Sequence, residues 1–385
     1  MLITREHKDL AKTVKKFVEN EINPFCEKWD KKGIFPAHEL FKKCGKLGLL
    51  GINKGLDNGG LGLDYTYGVI ASEALGYSDD MGVVMAIGVQ TDMATPALER
   101  FGSRELKEEF LKPSISGDYV SSIAVSEPGA GSDVAGLKTY AKKDGDDYII
   151  NGQKMWITNS TQADYFCTLV NTSEGHHHRN KSLIIIPSKT PGVSVGSRIE
   201  KLGLRSSDTA PVFFDNVRVP CRYRIGKEGK GFSLQMVQFQ EERLFAAASL
   251  LIPMEKCINK TIEYTGQRIV FGKPLLENQS LHFRLAELKT EIESLRSLIY
   301  RACADYVEGT DVTMMASMAK LKGGRLIREV SDACLQYWGG MGFTWENYVS
   351  RVYRDCRLAS IGGGADEVML GIICKLMGTF PKEGA

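Results

Sequence analysis

The spacing of apolar residues changes twice along the chain, near Gly117 and again near Gly231, and this limits the available folds more than any other feature. From Thr4 to about Glu21, Leu10, Val14 and Phe17 recur at helical spacing among lysines and glutamates, with Thr4 placed to cap the first turn. Similar patterns cover 36–49, 65–75, 93–101 and 103–111, broken by the Gly-rich turn 58–62. After Gly117, β-branched and aromatic runs take over at 148–150, 165–169, 183–186 and 212–214, and Asp144-Gly145 reads as a hairpin turn. Beyond Gly231 helical periods return over 232–268, 280–308 and 312–337, followed by the Gly339-Gly340 break and a last helix after Gly364. Blocks of helix, strand and helix in series predict an α+β chain with three segregated parts, 1–117, 118–230 and 231–385.

A chain of 385 residues is long enough for two or three subdomains. A net charge of +2, with 25% charged residues and no long Lys/Arg block, describes a solvated surface and points away from nucleic acid or anionic membrane as partner. No apolar run reaches spanning length, so no stable membrane insertion is expected. Nine cysteines, an odd number without a C-x-x-C pair, favour reduced thiols inside a cell. The N-terminus shows no signal-peptide core, and Glu6, Asp9 and Glu19 come too early for an acid-free transit sequence; an organellar address stays open. His176, His177 and His178 read as a loop tip rather than a metal site, and no other spacing suggests a metal.

Function is read from residues 124–136, Ala-Val-Ser-Glu-Pro-Gly-Ala-Gly-Ser-Asp-Val-Ala-Gly, which follow an apolar stretch expected to be a strand. Gly129 and Gly131 let a ligand approach the backbone, successive amides favour electron-rich groups, and Ser126 and Ser132 add hydroxyls. The order of the run resembles the first signature of the acyl-CoA dehydrogenases, FAD enzymes that desaturate an acyl thioester between its α and β carbons. That resemblance implies that Ile123, Val125, Ser126, Gly131 and Ser132 contact the flavin, Ser132 also lying near the CoA arm. It extends to 151–159, where Trp156 would cover the flavin face and Thr158 bond near its N5 edge. Arg268 and Phe271, in a segment similar to the family's R-x-x-F-G-K, would serve the FAD pyrophosphate of a neighbouring subunit. Gln336, Gly339 and Gly340, in a run similar to the second signature, and Glu367 near the adenine, would hold the dinucleotide half. The family fold implied is an N-terminal helical domain, a middle β-barrel-like domain and a C-terminal four-helix bundle, assembled as a homotetramer, a dimer of dimers.

The base that takes the α proton is displaced. Many members carry it in a Tyr-Glu-Gly-Thr run before the last helix, where this chain has Gly362, Gly363, Gly364 and Ala365. Glu242, in Gln240-Glu241-Glu242-Arg243-Leu244, stands where the isovaleryl and long-chain members place theirs. A bare Gly363 vacates volume for that carboxylate and keeps a backbone N–H for the thioester carbonyl. Arg243 is a candidate substrate contact. Glu241, about 100° away on a helix, is the alternative base; the plainer reading of Glu-Glu-Arg is a surface charge cluster. Ala365 removes a flavin donor that relatives supply with Thr, and Asp366 has no assigned role. The expected reaction converts a medium- or long-chain or branched acyl-CoA to a trans-2-enoyl-CoA. Electrons would pass to an electron-transfer flavoprotein, in the bacterial cytoplasm or the mitochondrial matrix. The acyl pocket is expected at 88–93 and the helix of Glu242. A flavin oxidase or monooxygenase on the same fold, or a non-catalytic flavin or acyl-CoA scaffold, are the alternatives.

Overall fold

The computed structural model describes residues 1–177 and 179–379. Helices fill its first third: α1 (Arg5–Glu21), α2 (Cys26–Lys32), α3 (Ala37–Lys46), α4 (Tyr65–Leu75), α5 (Met81–Gly88), α6 (Pro96–Phe101), α7 (Arg104–Leu106) and α8 (Lys112–Ser116). Thr4 caps α1, its hydroxyl accepting from the His7 amide at 3.4 Å while the His7 ring accepts from the Thr4 amide at 3.2 Å. Helix α5 has no counterpart in the sequence reading because it is apolar all round; every residue but Met85 is buried, and a uniform apolar run shows no helical period. Between α5 and α6, Val89–Ala94 form a wide π-type turn, a feature often found at functional sites.

Strands β1 (Ser121–Ala124), β2 (Tyr140–Asp144), β3 (Asp147–Thr158), β4 (Tyr165–Asn171), β5 (Lys181–Pro187), β6 (Val193–Val195), β7 (Thr209–Pro220) and β8 (Arg224–Ile225) form one sheet. The order is β6-β7-β3-β2-β4-β5-β8, with β1 lying parallel to β4. The hairpin expected at Asp144-Gly145 joins β2 to β3, with Asp144 opposite Asp147 and Gly145 at φ 61°. Both faces of β4 and β5 are covered. Tyr165, Cys167, Leu169, Leu183 and Ile185 meet Leu98, Leu106 and Phe110 of the helices, while Phe166, Val170, Ile184 and Ile186 join Tyr148, Val212 and Phe214 in a second core. That is why these two strands read as near-continuous apolar runs instead of alternating. His176 and His177 fall in the turn between β4 and β5; His178 lies outside the described residues, and the Lys181 ammonium donates to the His177 carbonyl at 2.7 Å.

The last part holds α9 (Gly231–Ala248), α10 (Leu251–Gln267), the hairpin β9 (Ile269–Val270) and β10 (Lys273–Pro274), α11 (Gln279–Val307), α12 (Thr313–Trp338), α13 (Tyr348–Asp355) and α14 (Asp366–Leu376). The single helix expected over 232–268 is two helices. Pro253, third in α10, lacks the amide that would bond the Ser249 carbonyl, so the hydrogen-bond ladder cannot run through. Helix α12 is central, packing on α9, α10, α11 and α14 through a core that includes Leu244, Leu251, Ile292, Leu295, Ala319 and Ile327.

Candidate active site

After β1 the chain turns, and Glu127 pins the turn. Its carboxylate accepts from the Lys138 amide at 2.7 Å, the Thr139 amide at 2.9 Å and the Lys154 ammonium at 2.9 Å. Lys154 is wholly buried and also donates to the carbonyls of Val125 at 3.0 Å and Leu169 at 2.7 Å. Burial works against both charges, pulling Lys154 down to about 8, yet the Lys154 charge and the amide bonds hold Glu127 below its ordinary carboxylate value. The Met155 amide donates to the Ser126 carbonyl at 2.9 Å and the Ser122 hydroxyl to the Thr158 carbonyl at 2.8 Å. Ile123, Val125, Ser126, Trp156 and Thr158 are thereby brought onto one rigid piece.

Beyond Glu127 the loop opens outward. Gly131 and Ser132 are exposed, and a Cβ placed on Gly129 or Gly131 would meet nothing within 4 Å. Neither glycine has a positive φ. The chain's own packing therefore does not require glycine at either position, and the space suits a ligand lying against the backbone. Trp156 adds a second sign, with φ 66° at a register shift of β3 against β7 and an indole 60% exposed. A bulky residue in the left-handed region costs on the order of 1–3 kcal/mol, and an exposed ring recovers none of it by burial within the chain. A planar group stacked on the indole would, so these residues fit a flavin.

Helix α9 carries a polar run into a buried place: Gln235, Gln238, Gln240, Glu241, Glu242 and Arg243 are all buried. Gln238 ties it to the first domain, accepting from the Ala97 amide at 3.0 Å and donating to the Met93 carbonyl. Gln240 accepts from the Val312 amide at 3.0 Å. The two adjacent glutamates point apart, as a 100° step requires. Glu241 is engaged: Arg100 pairs with its carboxylate, the Tyr306 hydroxyl donates to it at 2.8 Å, and its backbone carbonyl lies 2.9 Å from the Tyr65 hydroxyl.

Glu242 has no hydrogen-bond partner among the described residues, and it faces Gly363. A Cβ at position 363 would sit 3.2 Å from Glu242 Oε1, so carboxylates at both positions could not share this space. Burial pushes Glu242 up to about 7, Asp92 adding to the rise while Arg243 and Lys320 oppose it. Gly363, at φ 61°, has an amide with no acceptor among the described residues. Arg243 turns into the bundle, its guanidinium 3.3 Å from the Ser317 hydroxyl and 5.6 Å from the centre of the Phe239 ring.

Several buried groups here went unnoticed in the sequence. Asp92, on the π-type turn, has the Thr91 hydroxyl at 2.6 Å and the Tyr65 hydroxyl at 3.0 Å, and burial raises it to about 6. Buried Lys54 donates to the Thr91 carbonyl at 3.1 Å. Lys320 is buried on α12. A lysine at helical spacing among Ala316, Ala319, Gly323 and Ile327 was the signal for Lys320; Asp92 lay within the 88–93 segment expected for the acyl pocket but was not singled out, and nothing marked Lys54.

The remaining expected contacts, apart from Glu367 near Lys320, lie at the hairpin end of the bundle. Arg268 ends α10, and Phe271 follows at φ 51° with its ring fully exposed. Trp338 stacks on Tyr264 with centroids 4.1 Å apart and donates to the Thr261 hydroxyl at 3.0 Å, which brings Gln336, Gly339 and Gly340 to the same end as Arg268. A Cβ on Gly340 would meet nothing within 4 Å. Glu367 is exposed on the first turn of α14, beside a buried Asp366 that Arg325 approaches at 3.4 Å. Among the described residues no hydrogen bond or ion pair links Arg268, Phe271, Gln336, Gly339 or Gly340 to the 123–132 loop or to Trp156, and Gln336 lies about 24 Å along α12 from Lys320.

Residues 4–118, 122–217 and 229–378 match, in order, the N-terminal, middle and C-terminal domains of acyl-CoA dehydrogenase. The mitochondrial long-chain specific acyl-CoA dehydrogenase of Rattus norvegicus is 34% identical over 377 residues, 97% of this chain and 87% of that protein. The short-chain specific enzyme of the same organism is 32% identical over 368 residues, 95% of this chain and 89% of that protein. The crystal structure of acyl-CoA dehydrogenase from Geobacillus kaustophilus has a TM-score of 0.93 at 36% identity, covering 97% of this chain and 98% of that one. With three domains matched in sequence order and relatives aligned over nearly their whole length, the chain belongs to the acyl-CoA dehydrogenase family, FAD-dependent oxidoreductases that dehydrogenate acyl-CoA thioesters in fatty-acid β-oxidation.

Proposed function

We propose that Glu242 is the base that removes the α proton of a medium- to long-chain or branched acyl-CoA, giving a trans-2-enoyl-CoA. One observation carries this reading: a buried carboxylate without a hydrogen-bond partner among the described residues, raised to about 7, lies 3.2 Å from where a side chain at Gly363 would begin. An α C–H beside a thioester is weakly acidic, so the base needs high proton affinity and the carbonyl oxygen needs donors as enolate charge grows. Desolvation gives Glu242 the first; the unpaired Gly363 amide offers the second. Arg243 and Lys320 limit the rise, leaving a substantial ionised fraction near neutral pH.

Bound FAD would supply the acceptor for the β hydride. Ile123, Val125, Ser126, Gly131 and Thr158 would line its ring, Trp156 would cover one face, and Ser132 would also meet the CoA arm. Arg268, Phe271, Gln336, Gly339 and Gly340 of a neighbouring copy would hold the dinucleotide half, with Glu367 near the adenine, completing the site in a homotetramer. The distance of about 24 Å along α12 between Gln336 and Lys320 supports that division. Electrons then leave to an electron-transfer flavoprotein. The near-equal identities to long-chain and short-chain relatives, 34% and 32%, do not select a chain length; the preference for longer or branched substrates rests on the base at 242 and the bare 363. Nine unpaired cysteines suit a reducing compartment, the bacterial cytoplasm or mitochondrial matrix.

Anaerobic mixing of the yellow holoenzyme with short, long and branched acyl-CoA thioesters tests the reading. Flavin bleaching is expected with at least one class, and Glu242→Gln should slow it by about 10²–10⁴-fold. Bleaching at full rate in that variant would remove Glu242 from the mechanism, and peroxide accumulating in air would mark an oxidase instead.

A further inference from the structure

Under the 362–364 turn lies a buried cation that, beyond its charge acting on Glu242, has a contact the reaction above does not use. Lys320, 2% exposed, sits in the buried stripe of α12 with Ala316, Ala319, Gly323 and Ile327. Its ammonium donates to the Gly364 carbonyl. Gly363 and Gly364 are both left-handed, at φ 61° and 90°, and among the described residues no other hydrogen bond reaches either one. Three successive glycines have the widest backbone freedom a chain allows, so a single tether has a large effect on where the Gly363 amide points.

The same ammonium faces the base. The charged groups around Lys320 are Glu242 and Arg243 from α9 and Asp366 and Glu367 from α14; around Glu242 they are Arg243, Lys320 and Asp92. Asp366 is shared with Arg325 and Arg328 of α12 itself, at 3.4 and 3.9 Å. Burying an ammonium is costly, and burial pulls Lys320 down to about 8, which still leaves it charged at neutral pH.

We propose that Lys320 is a positioning residue for the dehydrogenation: it holds the Gly363 amide toward the thioester carbonyl and keeps a positive charge beside Glu242 that favours the ionised base. The proposal rests on Glu242 being the base. Both effects act on the same instant of the reaction, since the ionised carboxylate and the aimed amide are needed together.

The test compares wild-type, Lys320→Met and Lys320→Arg holoenzymes, with Glu242→Gln alongside, over a range of pH. In Lys320→Met with its FAD retained, the acid limb of the bleaching rate should move up by about one unit, lowering the rate about fivefold at pH 7 and about tenfold well below the limb. Hydrogen exchange of the peptide spanning 361–365 should quicken in the same variant, and Lys320→Arg should restore both. Loss that is uniform across pH, or a limb and exchange rate that stay put, would overturn the proposal. Should Lys320→Met fail to fold, Lys320→Gln replaces it; failure of both neutral variants while Lys320→Arg folds would make Lys320 an anchor of the fold and overturn it as well. The two readings fail separately: full-rate bleaching by Glu242→Gln sinks the base assignment, whereas a dead Glu242→Gln with an unmoved limb in Lys320→Met sinks only the positioning role.

Discussion

Glu127 beneath the 129–132 loop and Glu242 beneath the Gly363 turn leave almost the same surface to solvent, 7% and 8%, yet their protonation moves in opposite directions. Glu127 accepts three hydrogen bonds, one from Lys154, and is held below the usual carboxylate range. Glu242 accepts none among the described residues and is raised to about 7. Glu242 also sits deeper in the protein, so desolvation and missing compensation act together on it. A carboxylate held by three hydrogen bonds, one from an ammonium, is fixed and stays ionised, whereas one buried without partners has its proton affinity raised. The first arrangement gives a loop its shape; the second is what the proposed base requires.

The largest expected effect acts on the uncompensated half. Glu242→Gln should lower the rate by about 10²–10⁴-fold while making the folded chain more stable. The folded value of about 7 lies above the ordinary 4.5, so the folded chain binds more protons between these limits and its stability falls as pH rises through them. Above pH 7 the wild type bears the whole cost, about 3 kcal/mol. Urea unfolding of the apoprotein at pH 8 should find the Gln variant more stable, with the gap closing toward pH 5. A variant less stable at pH 8 would mean that Glu242 has a partner and that the contrast is false. In the wild type, activity should rise with pH through an acid limb near 7, because only the ionised carboxylate can accept the proton.

A smaller effect is expected on the compensated side, and it concerns the fold. Lys154→Met strands Glu127 in a buried site and should cost about 3–5 kcal/mol, with FAD lost on gel filtration as the 125–132 turn loosens. Adding Glu127→Gln should recover part of that stability, since the stranded charge is gone. If the single variant unfolds at the wild-type urea midpoint and keeps its flavin, Glu127 is not the satisfied partner of this comparison.

The sequence exposed these two sites unequally. The loop of Gly129 and Gly131, the Trp156 strand and the Gly363 vacancy are local runs, so their order alone carries the family likeness. The helical periods of α1 and α4 were equally plain because each has one wet face or a side-chain cap at its start. Uniformly apolar α5 was invisible, and the break before α10 was missed because Pro253 sits inside an otherwise helical pattern. Compensation is a property of distant pairs: Glu127 finds Lys154 across 27 positions, and Glu241 finds Arg100 across 141. A run reading Glu-Glu-Arg cannot say which of its carboxylates will meet an arginine from another domain.

Glu241 therefore gives the finest test, because it shares a helix, a burial class and a neighbour with Glu242 and differs in its partners. Glu241→Gln removes a carboxylate held by Arg100 and Tyr306 and should cost about 1.5–3 kcal/mol of stability, read as a lower urea midpoint. Its charge is not among those that move Glu242, which are Arg243, Lys320 and Asp92, so the acid limb of the rate should stay near 7. Loss of stability with an unmoved limb in Glu241→Gln, set against loss of the reaction in Glu242→Gln, separates a structural carboxylate from a reactive one over a single residue. Were the limb to vanish with Glu241 and persist without Glu242, the two roles would have to be exchanged, and the open space at Gly363 would need another occupant.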